Sequence, residues 1–386
     1  MIMDKSVVIL RSTSVINDSR TIKVAKTLVE NGYKVTILGW DRANILHENR
    51  ISFNDGYADI YAYRFRASYG GGGRLLVGML GFEVWLYREL NRLKDRYSII
   101  HSCDLDTGFI GSRIARRHNK KHVYDIFDYY IDSRELPKQI EKRVEEIEIN
   151  VINKAHVTII CGEWREAQLE KATPRKLIVV YNTPYVNTDN ASMKVIKSDS
   201  NKIKLAYVGI LQDKRLLREV LEEIKKDPSI ELHIGGFGAL SEEIEKSSLE
   251  YENIFFYGSL NYDDVLALEK DSSILFATYD PTLRNHRYSA PNKVFEAMAL
   301  GLPIIVCRNT GIDELVTRHK TGIAISYDAK ELVASVYELF SNKDNLEKMK
   351  NRALELYGST YNWNTMGQLL SKTYSELAEE DNDEKS

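Results

Sequence analysis

The sequence predicts an α/β protein made of two doubly wound, Rossmann-like parallel-sheet domains facing a central cleft. Two observations predict it. Short apolar runs rich in β-branched residues alternate with helical patterns along the chain, which is how parallel strands covered on both faces read. The alternation comes in two series, separated by a polar stretch from Asn182-Thr183-Pro184 to about Asn201 that is rich in Asn, Ser and Thr. At 386 residues, with 43% apolar and 28% charged residues, the chain is long enough for two sizeable cores.

In the first series the expected strands are Val7–Leu10, Lys34–Trp40, Ile60–Phe65, Ile99–Ser102, His122–Ile126, His156–Cys161 and Leu177–Tyr181. Helical patterns fill Ser19–Glu30, Arg74–Arg96, Thr107–His118 and Lys138–Asn153. The second series expects strands at Lys204–Val208, Glu231–Ile234, Ile254–Tyr257, Ile274–Thr278 and Ile304–Val306. Its helices are Leu216–Lys226, Ser241–Ser247, Tyr262–Glu269, Asn292–Leu300 and Glu331–Phe340. The expected boundaries are 1–183 for the first domain, 184–364 for the second, and 365–386 for a final helix and acidic tail. In open sheets of this kind ligands sit beyond the carboxyl ends of the strands, so residues just after strands and at helix starts are the ones to examine.

A net charge of −3 gives no reason to expect a nucleic-acid partner. The three cysteines, Cys103, Cys161 and Cys307, are far apart and each ends an apolar run, so they read as small core residues of a reducing compartment. The N-terminus runs straight into a strand without a signal-like apolar stretch, and no later run is long and uncharged enough to span a bilayer. A cytoplasmic protein is expected, with contact at the inner membrane face as a second reading. Gly70–Gly73 reads as a hinge feeding a basic amphipathic helix, whose default role is to cover the core and whose alternative is an acceptor lid or a membrane-surface contact.

The stretch YSAPNKVFEAMALGLPIIV, Tyr288 to Val306, carries the most specific chemistry. Pro291 is suited to a helix start, Gly301 can stop the helix in the left-handed conformation, and Pro303 forbids its continuation. The first turn and a half of that apolar helix holds Asn292, Lys293 and Glu296. Exposed N–H groups, the helix dipole and a lysine make an anion site. Glu296, one turn further on, is a carboxylate that can accept two hydroxyl hydrogen bonds; a surface pair with Lys293 is the plainer alternative. In YVGILQDKR a strand ends at Gly209, where backbone approaches a ligand closely, and Lys214 and Arg215 follow. LHIGGFG adds a third strand with glycines after it, among them Gly236. In the first series Asp104, directly after a strand in HSCDLDTG, and Asp125, Asp128 and Asp132 are acids able to orient or deprotonate an acceptor hydroxyl, with capping or solvation as the alternative. Asp106 reads as a helix cap.

PNKVFEAMALGLPIIV, with a glycine-ended strand and a basic pair upstream, resembles the donor half of nucleotide-sugar-dependent glycosyltransferases of the GT-B fold, family 4. NDSRTIKVAKTLVENGYKVTILGW and IIHSCDLDTGFIGSRIARRHNKKHVYD resemble the same family's front half, and YNWNTMGQLLSKTYSEL resembles the terminal helix that crosses back to the first domain. The resemblance implies that Glu296 holds the donor ribose, that Arg215 and Lys293 hold the diphosphate, and that Gly209 lies close to it. It implies transfer from a nucleotide-diphosphate sugar to a glycan, lipid-linked or small-molecule acceptor, of hexosyltransferase type, with no metal or other cofactor and retention expected over inversion. Two positions depart from the pattern. Tyr288 stands where the family often has a second glutamate facing the donor sugar, and the loop after the first strand, RSTSVINDSR, contains no glycine. Asp104 and Tyr288 are the candidate catalytic residues. The alternatives are a nucleotide-sugar 2-epimerase on the same scaffold and a non-catalytic nucleotide-sugar-binding subunit.

Overall fold

The computed structural model describes residues 5–67, 73–134, 136–186 and 202–383. Gly70, Gly71 and Gly72 of the expected hinge, most of the seam and the end of the acidic tail lie outside them. The chain divides into two compact units, residues 1–180 with 366–386, and residues 181–365.

The first unit holds β1 (Ser6–Arg11), β2 (Lys34–Asp41), β3 (Arg50–Phe53), β4 (Gly56–Arg64), β5 (Ile99–Cys103), β6 (Lys121–Ile126), β7 (Val157–Ile160) and β8 (Leu177–Val179). They form one sheet in the order β3-β4-β2-β1-β5-β6-β7-β8. Every pairing is parallel except β3 with β4. Its helices are α1 (Ser19–Glu30), α2 (Gly73–Arg92), α3 (Leu105–Arg117), α4 (Tyr130–Ser133) and α5 (Lys138–Lys154).

The second unit holds β9 (Ile203–Ile210), β10 (Ile230–Phe237), β11 (Ile254–Phe256), β12 (Ile274–Ala277), β13 (Ile304–Cys307) and β14 (Gly322–Ile325). Its sheet is parallel throughout, in the order β11-β10-β9-β12-β13-β14. Its helices are α6 (Leu217–Ile224), α7 (Ser241–Glu250), α8 (Tyr262–Lys270), α9 (Asn292–Leu300), α10 (Ile312–His319), α11 (Ala329–Ser341) and α12 (Lys343–Ser359). The last helix, α13 (Trp363–Asp383), begins in this unit, and from Met366 onward it belongs to the first.

The central strands of both sheets, β1, β2, β5, β6 and β7 in the first and β9, β10, β12 and β13 in the second, are near-continuous buried runs, as strands covered on two faces must be. In the first, Val8, Leu10, Leu38 and Ile100 pack with Phe82, Leu86 and Leu90 of α2 and Ile110 and Ile114 of α3. In the second, Leu205, Leu232, Ile234, Phe276 and Ile305 pack with Leu217, Val220 and Leu221 of α6 and Leu332 and Val336 of α11. Each such fully buried side chain stabilises the fold by about 1.5–3 kcal/mol. The three cysteines are buried and unpaired.

The elements not anticipated are β3, β14, α4, α10 and α12. Strand β3 is a short, partly exposed edge strand with little apolar signal. Strand β14 opens on Gly322, where a Cβ would lie 1.9 Å from the Ile304 carbonyl oxygen, so close strand approach selects a residue that weakens the strand pattern.

A buried polar chain runs through the first unit. Arg20 donates to Asp125 at 2.8 and 3.1 Å and to the Val180 carbonyl at 2.7 Å. The His101 ring lies 3.5 Å from Asp125 and 2.5 Å from the Tyr374 hydroxyl on α13. Burial pushes the Asp125 carboxyl up, but Arg20 and His101 outweigh it and hold it below the usual carboxylate range. Asp125 therefore lies within β6 as half of a buried ion pair, which corrects its reading as an acid available to an acceptor.

Candidate functional site

In the second sheet the strand order reverses direction between β9 and β12, the switch point at which such sheets bind ligands. Gly209 near the end of β9 and Gly236 near the end of β10 are register partners with φ of +156° and +134°. A Cβ on Gly236 would lie 1.8 Å from the Gly209 carbonyl oxygen, and one on Gly209 would lie 2.9 Å from the Lys293 ammonium. The two glycines therefore let two strand ends and a lysine converge where side chains would not fit.

That lysine comes from α9. Pro291 stands at the N-cap in an extended conformation (φ −68°, ψ 132°), one position before the expected first helical residue, and Gly301 ends the helix in the left-handed region as expected. No side chain caps the helix start. The Lys293 ammonium donates to the Val208 carbonyl at 2.7 Å and sits 4.3 Å from the centre of the Tyr207 ring. The Asn292 side-chain oxygen accepts from Asn182 at 2.9 Å. Glu296 is 5% exposed and is hydrogen-bonded by the Tyr262 hydroxyl of α8. Burial, then the Glu296 carboxylate, push the Tyr262 phenol above its usual range.

Arg215 presents a different environment. Its guanidinium lies 3.8 Å from the centre of the Tyr279 ring, and its Nε and Nη1 are buried without a hydrogen-bond partner among the described residues. Unpaired buried donors on a cation are costly unless a ligand meets them. The neighbouring Lys214 extends into solvent, with its ammonium 3.2 Å from Asp280. Tyr288 is half-buried in the turn that precedes α9.

In the first sheet the order reverses between β1 and β5, and Asp104 directly follows β5. Asp104 takes φ 59° and ψ 169°, a strained conformation for any residue but glycine. Three partners hold it there: one carboxylate oxygen accepts from the amides of Phe127 at 2.8 Å and Asp128 at 3.1 Å, the other from Arg11 at 2.5 Å. Burial raises the carboxyl to about 6 against the opposing pull of Arg11. Asp106 was expected to cap α3 and does not; it lies in the first turn, and Asp104 takes the cap position without a side-chain cap bond. Asp106 instead accepts from Ser12 at 3.0 Å.

Sequence reasoning did not single out Arg11, Tyr207, Tyr262, Glu269, Tyr279 or Asp280. The rule of looking just after strands and at helix starts reaches Arg11, Tyr262, Tyr279 and Asp280 but does not set them apart from other residues so placed. Tyr207 and Glu269 meet their neighbours through packing that no local pattern signals.

Residues 188–356 match the family described as Glycosyl transferases group 1. No curated protein matches the chain. Among solved structures, sucrose-phosphate synthase from Thermosynechococcus elongatus is similar with a TM-score of 0.77 at 14% identity, over 97% of this chain and 99% of that one. Anabaena Alr3699/HepE in complex with UDP is similar with a TM-score of 0.68 at 13% identity, over 96% and 100%. A glycosyltransferase from Rickettsia africae gives 0.67 at 13%, over 97% and 99%. At these identities the likeness shows the fold. Residues 188–356 thus resemble the group 1 glycosyl transferases, in a chain whose two units have the GT-B fold.

Proposed function

We propose that this glycosyltransferase moves a sugar from a nucleoside diphosphate sugar to a glycan or lipid-linked acceptor, with retention and without a metal ion. The observation that carries the reading is the ammonium of Lys293 lodged at the carboxyl end of β9, beside Gly209 and Gly236 and at the start of an uncapped helix. In this reading Lys293, the α9 N-terminus at Pro291 and Asn292, and the unpaired donors of Arg215 bind the diphosphate, with Lys214 as an outer contact. They stabilise the charge that develops as the diphosphate leaves, the work a divalent cation does elsewhere. Glu296 holds the ribose hydroxyls. Tyr288 faces the donor sugar, and Asp104 orients or deprotonates the acceptor hydroxyl. The UDP bound by Alr3699/HepE, which shares the fold, supports a uridine nucleotide as the first donor to try.

The outer face of α2 supports a lipid-linked acceptor reached at a membrane surface. Leu76, Val77, Leu80, Val84 and Tyr87 are exposed along that face, with Arg88 beside them. No helix among the described residues is long and apolar enough to cross a membrane.

The deciding experiment presents the protein with a panel of nucleotide sugars, with and without chelator, and follows released nucleoside diphosphate. The anomeric proton of the product then reports retention or inversion. Interconversion of the sugar with no diphosphate released means an epimerase, and thermal stabilisation with neither reaction means a binding subunit. Loss of all turnover on chelation, restored by manganese, overturns the metal-free reading.

A further inference from the structure

Helix α8 packs beside α9 and carries a carboxyl group that the proposed reaction leaves unused. Glu269 has no exposed surface, and neither of its oxygens has a hydrogen-bond partner among the described residues. Its charged neighbours are Glu296 and Lys293, the two side chains that the reading above gives to ribose and diphosphate. A carboxylate with no hydrogen bond, out of water and beside another carboxylate, cannot keep its charge at neutral pH.

We infer that Glu269 is a positioning residue of the nucleotide site: a neutral carboxylic acid beside Glu296 and Lys293, whose ionisation would weaken the binding of a nucleoside diphosphate. The inference rests on the functional reading above. In the neutral state Glu269 leaves the Lys293 charge to the ligand. Ionised, Glu269 adds a second buried negative charge that competes for Lys293 and repels the phosphates.

Other titratable groups lie on the elements packed against it. On α8 itself Tyr262, at the start of the helix, is held by Glu296 with its phenol displaced upward, and Lys270 directly follows Glu269 at the helix end. From α12, Tyr357 reaches Tyr262, and its phenol is also raised by burial. From β9, Lys204 is paired with Asp271 at 3.1 Å. Burial, then Glu296, raise the Glu269 carboxyl well above its usual range, and Lys293 opposes them. The folded state therefore binds this proton more tightly than the unfolded chain. Its contribution to stability is full below the ordinary carboxylate range and is lost as pH rises through the displaced value.

The test compares the full-length protein with Glu269→Gln, which keeps shape and neutrality and cannot ionise. The probe is whichever of UDP, GDP, ADP, CDP and dTDP stabilises the wild type most against heat. Wild-type affinity should hold near neutrality and fall by roughly threefold to tenfold across the alkaline range. Glu269→Gln should match wild type within about twofold near neutrality and lose the alkaline fall. An equal fall in both proteins overturns the inference, as does loss of neutral-pH binding in a folded Glu269→Gln, which would make the residue a needed charge. If no diphosphate binds, the nucleotide reading fails on its own, and the melting temperatures of the two unliganded proteins decide the rest. The variant should gain on wild type as pH rises; a constant gap overturns a neutral, buried Glu269.

Discussion

The Arg11 guanidinium donates to the Asp104 carboxylate at 2.5 Å, joining the end of β1 to the end of β5 where the first sheet reverses its order. The same arginine donates to Asp18 at 2.5 Å and lies 4.2 Å from the centre of the Phe127 ring. Asp104 is thus a fixed carboxylate with a displaced proton affinity, which suits an acid or base better than a solvated residue would.

Asp104→Asn should leave nucleoside diphosphate affinity within about twofold and lower turnover by roughly 100-fold or more, the usual weight of a positioned proton acceptor. Wild-type turnover should decline as pH falls below about 6, because the carboxyl must be ionised to act. A pH–rate profile of both proteins checks this, and normal turnover in the variant returns Asp104 to a structural role.

Lys293→Ala and Arg215→Ala should each weaken nucleoside diphosphate binding by about 1.5–3 kcal/mol, the range for a charge-assisted contact. Free nucleoside should bind nearly as before. Calorimetry with the two ligands separates the cases, and unchanged diphosphate affinity in both variants shows that the phosphates lie elsewhere.

Glu296→Gln should cost affinity for ribonucleotides and much less for 2′,3′-dideoxy analogues, which lack the hydroxyls assigned to it. Tyr288→Phe should change sugar preference and leave the diphosphate alone. The measurement is a pair of competition curves for each variant. Equal losses for ribose and dideoxyribose ligands rule out the ribose contact.

Asp125→Asn should destabilise the first unit by about 3–5 kcal/mol, since it leaves Arg20 as a buried charge without its partner. The depressed Asp125 carboxyl contributes stability that is present above the ordinary carboxylate range and lost as pH falls through its lower value. Denaturant unfolding across acid pH should show this loss in wild type and a flatter curve in the variant.

Leu80→Asp with Val84→Asp, both on the exposed face of α2, should abolish flotation with anionic phospholipid vesicles and leave melting within a few degrees of wild type. Wild type that stays with the soluble fraction removes the membrane contact.

Much of the fold was legible because parallel sheets write themselves as apolar runs separated by helical periods. The placement of the candidate residues in the second unit was legible for a related reason: Gly209, Lys293 and Glu296 stand at a strand end and a helix start, which the apolar run and the Pro and Gly boundaries mark. The partners of those residues were not. Arg11 and Asp104 are 93 positions apart, so only the folded sheet shows that one holds the other. Glu269 reads in sequence as an ordinary helix-surface acid, and only the packing of α8 on α9 makes it a buried one. Asp125 was misjudged because the partner that occupies it, Arg20 in α1, is 105 positions away in the sequence.

The Tyr374 hydroxyl on His101 has a consequence for how the protein is made. The first unit is completed by residues from Met366 onward, so the partner of a histidine in its middle strands is translated only after the second unit. While the second unit is still leaving the ribosome, the first has its sheet but lacks the helix that covers His101 and Asp125. Domains usually fold in order of synthesis. Here the first unit must wait until the second has been made for the helix that covers that side of its sheet.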